Sequence, residues 1–157
     1  MRKKDQEIKD KDTIESIINR ATICRIAVSD ENVPYIIPVS FGYKDNCLYI
    51  HSAPEGKKIT ILKKNNQICF EVDTDYELLK ADKACFFSMK YQSVIGFGKA
   101  FFIEDLEKKK AALDIIVKHY SEKSFEYPEN IIEYVTVIKI EIDSMTGKQS
   151  GYSNQAS

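Results

Sequence analysis

Residues 22–52 read as three β-prone runs joined by polar turns only a few residues long, and this pattern constrains the fold more than any other feature of the chain. Cys24, Ile26 and Val28 alternate with Arg25, Ala27 and Ser29, the two-residue period of a strand with one buried face. Asp30-Glu31-Asn32 makes a polar turn, Pro34 to Phe41 is a second apolar run, Lys44-Asp45-Asn46 turns again, and Cys47 to Ser52 is a third strand. Turns this short cannot carry a crossover connection. The three runs therefore form a meander of antiparallel hairpins.

The flanking sequence extends that reading. Asp12 followed by Glu15 has capping-box spacing, and Ile14, Ile17, Ile18 and Ala21 follow at helical intervals, so a short helix is expected over residues 13–20. A second short helix is expected from Lys57 to Lys64, closed by Asn65-Asn66. Gln67 to Thr74 is a fourth strand, residues 75–83 a polar loop, Ala84 to Ser88 a short strand, and Tyr91 to Ile103 a long strand holding Gly96 and Gly98. Asp105 caps a helix reaching Tyr120, and a short turn of helix follows Pro128. Tyr134 to Ile142 is the last strand. Six or seven strands without regularly alternating long helices exclude a doubly wound parallel sheet. They predict a mainly β fold with short flanking helices, a six-stranded antiparallel barrel closed or partly split. At 157 residues there is room for one domain. The expected division is an N-terminal arm over 1–12, the barrel domain over 13–145, and a polar tail over 146–157.

Charge removes several classes of function. Lys plus Arg is 23 against 24 acidic residues, a net charge of −1, which lacks the basic excess of a nucleic-acid binder. No apolar run approaches the ~18 residues of a membrane span. The first residues are charged, with no secretory core, and Cys24, Cys47, Cys69 and Cys85 lie far apart in apolar stretches. Together these predict a cytoplasmic protein with buried free thiols. No metal site is expected, because His51 and His119 are the only histidines and neither stands beside a cysteine pair.

The segment His51-Ser52-Ala53-Pro54-Glu55-Gly56-Lys57-Lys58 carries the strongest chemical signal. A strand ends in His-Ser, and a glycine admits a helix whose first turn holds two lysines. Free backbone N–H groups, the positive end of the helix dipole and two ammonium groups would converge there, which suits a phosphate. The same lysines, with Lys63 and Lys64, also read as solvated charges on a surface helix. His51 at a strand end is a structural residue or, beside a phosphate site, a functional one. His119, late in a helix, is given no chemistry. Gly96-Phe97-Gly98 fails as a dinucleotide fingerprint and as an RNA-recognition strand, and is read as a barrel strand eased by two glycines.

Three stretches in their order and spacing carry a resemblance: Pro34 to Tyr43, His51 to Lys58, and Tyr91 to Ala100. They resemble the flavin-binding split-barrel proteins related to pyridoxamine 5'-phosphate oxidase, and most of all the nitroimidazole-resistance (Nim) branch. Cys24-Arg25-Ile26-Ala27 and Thr146-Gly147-Lys148-Gln149-Ser150 also look like that branch. The resemblance implies a homodimer with flavin mononucleotide (FMN) at two sites across its interface, flavin adenine dinucleotide (FAD) being the alternative in the same groove. It implies that Ile36, Ile37, Pro38, Val39, Ser40 and Phe41 line the flavin, with His51 and Ser52 beside it. Lys57 and Lys58 would bind the phosphate, and Ser93 with Val94 would touch the ring or ribityl chain. The oxidase's C-terminal substrate arginines have only Lys148 as a counterpart. The implied activity is flavin-dependent reduction of a nitro group on small molecules such as 5-nitroimidazoles, with His51 as the candidate catalytic residue. The alternative is a flavin- or haem-binding module of the same fold without turnover. Neither membrane nor nucleic acid is an expected partner.

Overall fold

The computed structural model describes residues 4–152. A single 3₁₀ turn at Lys4–Gln6 leads into β1 (Glu7–Ile8) and α1 (Lys11–Arg20). The meander follows as β2 (Cys24–Asp30), β3 (Val33–Val39), β4 (Phe41–Lys44) and β5 (Cys47–Ser52). Then come α2 (Lys57–Lys64), β6 (Gln67–Leu79), β7 (Ser88–Ile103), α3 (Leu106–Lys118), α4 (Glu129–Tyr134) and β8 (Thr136–Ser150). Glu31, Asn32, Asp45 and Asn46 all take positive φ, the backbone twist that lets two-residue turns close the first two hairpins.

The strands form one antiparallel sheet in the order β3-β2-β6-β7-β8-β5-β4, with β1 added against β8. Its two end strands, β3 and β4, are consecutive in the chain, and only Ser40 separates them. A sheet whose opposite edges are one residue apart must roll up, so the fold is a barrel split between β3 and β4. Ile26, Val28, Phe41, Leu48, Ile50, Phe70, Val72, Val94, Ile138 and Ile140 fill the interior. Ile14, Ile17 and Ile18 of α1 and Ile59, Ile61 and Leu62 of α2 pack onto the same core. Pro34 and Pro38 have no N–H to give a ladder, which suits β3, a strand paired on one side only. Gly96 lies directly opposite Phe70, and a Cβ there would stand 2.3 Å from the buried phenylalanine ring. The glycine is thus a packing requirement of the barrel.

The mainly β, antiparallel, split-barrel expectation stands, with eight strands in place of six. The run from Pro34 to Phe41 breaks at Ser40 into β3 and β4, and the two-residue β1 carries no readable period. Helix α1 starts at Lys11 because Asp10, and not Asp12, is its cap, its carboxylate accepting from the Thr13 N–H at 2.8 Å. Residues 75–79, expected as loop, continue β6 past an irregularity where Asp75 takes φ 57°. Tyr76, Glu77 and Leu78 are all exposed, so this arm of the β6–β7 hairpin has no buried face and leaves no alternation to read. Ala84–Phe86 is a 3₁₀ turn, not a strand, and it leaves Cys85 exposed, whereas Cys24 and Cys47 are buried free thiols. Burial pushes the Cys24 thiol up to about 12. The segment from residue 146 enters the sheet, since β8 runs to Ser150. The expected arm and tail extend beyond the description at residues 1–3 and 153–157. No helix among the described residues is long and apolar enough to cross a membrane.

Candidate functional site

Strand β5 ends at His51-Ser52, and the short link Ala53–Gly56 delivers the chain to the first turn of α2. Gly56 holds φ 127°, ψ 166°, a backbone shape that L-residues with side chains rarely adopt. No side chain caps α2, so its first N–H groups point outward without an internal acceptor. Lys57 is exposed at this end and Lys58 is half-buried. Desolvation holds the Lys58 ammonium below the ordinary lysine range. Uncapped amides, a helix dipole and a partly dehydrated ammonium are a set of groups that could hold a phosphate. The far end of the helix differs. Lys63 is exposed, and Lys64 Nζ lies 3.4 Å from Asp30 on β2.

Strand β3 reaches this helix terminus through Tyr35, over whose ring Lys57 Nζ sits at 4.5 Å from the centroid. Tyr35, Ile37 and Val39 turn toward the core, while Ile36, Pro38 and Ser40 are exposed. Phe41 is fully buried, and its N–H donates to Tyr120 Oη at 3.0 Å. Tyr120 Oη in turn donates to the Thr22 carbonyl at 3.0 Å. His119 Nε2 donates to the Ala21 carbonyl at 2.6 Å, and its ring packs on Phe41 at 4.4 Å. His119 and Tyr120 therefore tie α3 to the β3–β4 split, a structural role that helical periodicity alone does not reveal.

His51 is exposed and Ser52 half-buried, opposite Val137 and Thr136 on β8. The structure thus gathers Lys57, Lys58, His51, Ser52 and the Tyr35 end of β3 around the start of α2. Ser93 and Val94 are elsewhere. Strands β2 and β6 stand between β7 and β3, three strand spacings or about 14 Å. Val94 is fully buried, with its side chain in the core. Ser93 is buried in the floor of an open groove of about 480 Å³, walled by Arg25, Glu71, Asp73, Tyr76, Met89 and Tyr91. Arg25 Nη1 is 3.0 Å from Glu71 Oε2 and also bonds Asp73. The Asp73 bond raises the guanidinium's pKa further, while burial raises that of Glu71 against the pull of Arg25. Lys148 Nζ lies nearby, 5.3 Å from the Tyr91 ring centroid. No local spacing singles out Tyr35 or these groove walls, because the contacts that join them link positions distant in the chain.

The outer face of the sheet links these two regions. Ile36, Ala27, Cys69, Phe97 and Ser144 face one another across five strands. Ile36 is 63% and Phe97 55% exposed, with Ile95 beside them at 45%.

A family model described as pyridoxamine 5'-phosphate oxidase matches residues 10–149. No curated protein sequence matches the chain. Among solved structures, a candidate 5-nitroimidazole antibiotic resistance protein from Bacteroides thetaiotaomicron is 42% identical. That match covers 91% of this chain and 86% of that one, with a TM-score of 0.83. The flavocytochrome Anf3 of Azotobacter vinelandii is 22% identical, over 97% of this chain and 72% of that one, with a TM-score of 0.84. An FAD- and haem-binding protein of Mycobacterium smegmatis is 16% identical, over 94% and 74%, with a TM-score of 0.85. The last two bear on the fold alone.

Proposed function

The chain belongs to the pyridoxamine 5'-phosphate oxidase family, and from that premise we propose that it is a homodimeric FMN-dependent reductase of small nitro compounds such as 5-nitroimidazoles. The observation that carries this reading is the uncapped start of α2, where Gly56 opens the backbone and Lys57 and Lys58 stand beside His51, Ser52 and β3. The phosphate would rest on the α2 amides and the two ammonium groups, and the ring would lie along Ile36 to Phe41. Bound flavin would supply the electrons for nitro reduction.

The distance of Ser93 from β3 gives the dimer a chemical purpose. A two-fold interface on the apolar row from Ile36 to Phe97 would bring the partner subunit's Ser93 groove to the flavin of the first subunit. Each site would then take its phosphate grip from one chain and its ring contact from the other. Tyr76, Met89 and Tyr91 would wall the space above the ring and exclude water, and the flat faces of the two tyrosines suit a small aromatic substrate. Arg25 is already engaged by two carboxylates, so it has little to offer a phosphorylated substrate. This favours a nitroaromatic over pyridoxamine phosphate. Exposed at the end of β5, His51 would hold or deliver a proton to the reduced nitro oxygen.

The test is anaerobic. Protein loaded with FMN and reduced chemically should be reoxidised rapidly by a 5-nitroimidazole, followed by return of the ~450 nm flavin absorption. Without the nitro compound it should stay reduced. FMN that binds but reoxidises no faster with the nitroimidazole would make the protein a binding module.

A further inference from the structure

We propose that Tyr35 is a positioning residue of the phosphate site, a platform that holds the Lys57 ammonium over the start of α2. The inference rests on the FMN reading above and adds a residue to it.

Four observations support this role. Tyr35 is half-buried, packed against the barrel core, and sits on β3, so its ring is a fixed surface. Lys57 is exposed and carries four rotatable bonds, so without a contact its ammonium would sweep a wide volume of water. The Nζ lies 4.5 Å from the Tyr35 centroid, within the range of a cation–π contact. Neither an ion pair nor a hydrogen bond to a carboxylate competes for Lys57 among the described residues, whereas Lys64 is drawn to Asp30. A cation resting on a ring keeps its outward N–H bonds available, because the ring takes only one side of the charge. The ammonium is thus pre-placed for a phosphate without being neutralised, and less side-chain entropy is lost when the phosphate arrives.

The alternative geometry makes an opposite prediction. If the ring merely sequesters Lys57, removing it frees the lysine and FMN binds more tightly.

The experiment compares FMN with riboflavin, which shares the ring and ribityl chain but has no phosphate. Dissociation constants for both are measured by flavin fluorescence on wild type, Tyr35→Phe, Tyr35→Leu and Lys57→Ala. Tyr35→Phe keeps the π face and should keep the wild-type FMN-to-riboflavin affinity ratio. Tyr35→Leu should lower that ratio about threefold to tenfold, with riboflavin binding nearly unchanged. Loss of both ligands together would mean that Tyr35 only supports the fold, and an unchanged or raised ratio in Tyr35→Leu would equally overturn the proposal. Lys57→Ala separates the two levels of the argument. If it leaves the ratio at the wild-type value, the phosphate lies elsewhere and the FMN reading of α2 itself fails.

Discussion

Alanine at Lys57 or Lys58 should weaken FMN binding about tenfold to a hundredfold while leaving thermal unfolding of the apoprotein nearly unchanged. A hydrogen bond to a charged group contributes roughly 1.5–3 kcal/mol, and each 1.4 kcal/mol is a factor of about ten in affinity. In the proposed site each lysine would meet a doubly charged phosphate at a helix start whose amides favour an anion. Lys63→Ala and Lys64→Ala sit at the other end of the same helix, and α2 is only about 12 Å long, so charge alone would not distinguish the two ends sharply at low salt. Direct contact would, and both substitutions should bind FMN as wild type does. Fluorescence titration of the four variants at physiological ionic strength reads the difference. The pH dependence carries a sign as well. Burial lowers the Lys58 pKa, the protonated amine is the binding form, and FMN affinity should fall as pH rises through that lowered value. Lys58→Arg, always protonated, should remove the decline.

A charge on the outer sheet face should be at least as damaging. Phe97→Glu places a carboxylate in the apolar row that runs from Ile36 to Phe97, on a side chain that points to solvent in the single chain. The fold should therefore survive, as read by circular dichroism. In a two-fold interface the loss occurs twice. Removing an aromatic anchor costs about 2 kcal/mol or more, so two such losses weaken the dimer about a thousandfold. Sedimentation should show a monomer at micromolar concentration, and FMN binding should fall with it because the partner's groove has gone. A variant that stays dimeric and binds FMN would move the interface to another face.

Much of this architecture is legible in the residues, for reasons that also explain the gaps. The meander from Cys24 to Ser52 alternates because each strand has one face in the core, and its turns announce themselves through Asn and Asp at positive φ. The Gly56-Lys57-Lys58 element is readable because its parts are adjacent in sequence. The hairpin arm at Tyr76–Leu78 is strand exposed on both faces, so no period marks it. β8 reads as polar beyond Ile142 because its outward residues there, Ser144, Thr146 and Lys148, cross β7 with little burial on that side. The Tyr35–Lys57 contact joins positions on β3 and α2 that no local spacing connects. The separation of Ser93 from β3 follows from strand order, which places β2 and β6 between β7 and β3.

The central claim is that one flavin is gripped by the lysines of one chain and completed by the Ser93 groove of the other. Mixed subunits test it directly. One chain carries Lys57→Ala with Lys58→Ala, and the other carries Ser93→Leu, which fills the floor of the groove. The two are co-expressed with different affinity tags, and the heterodimer is purified beside both homodimers. In the heterodimer one site combines intact lysines with an intact groove, and the second site combines both lesions. The account predicts that neither homodimer binds FMN at concentrations that saturate wild type, while the heterodimer binds one FMN with wild-type affinity. A heterodimer that binds no better than its parents would contradict it and place the whole site within a single chain.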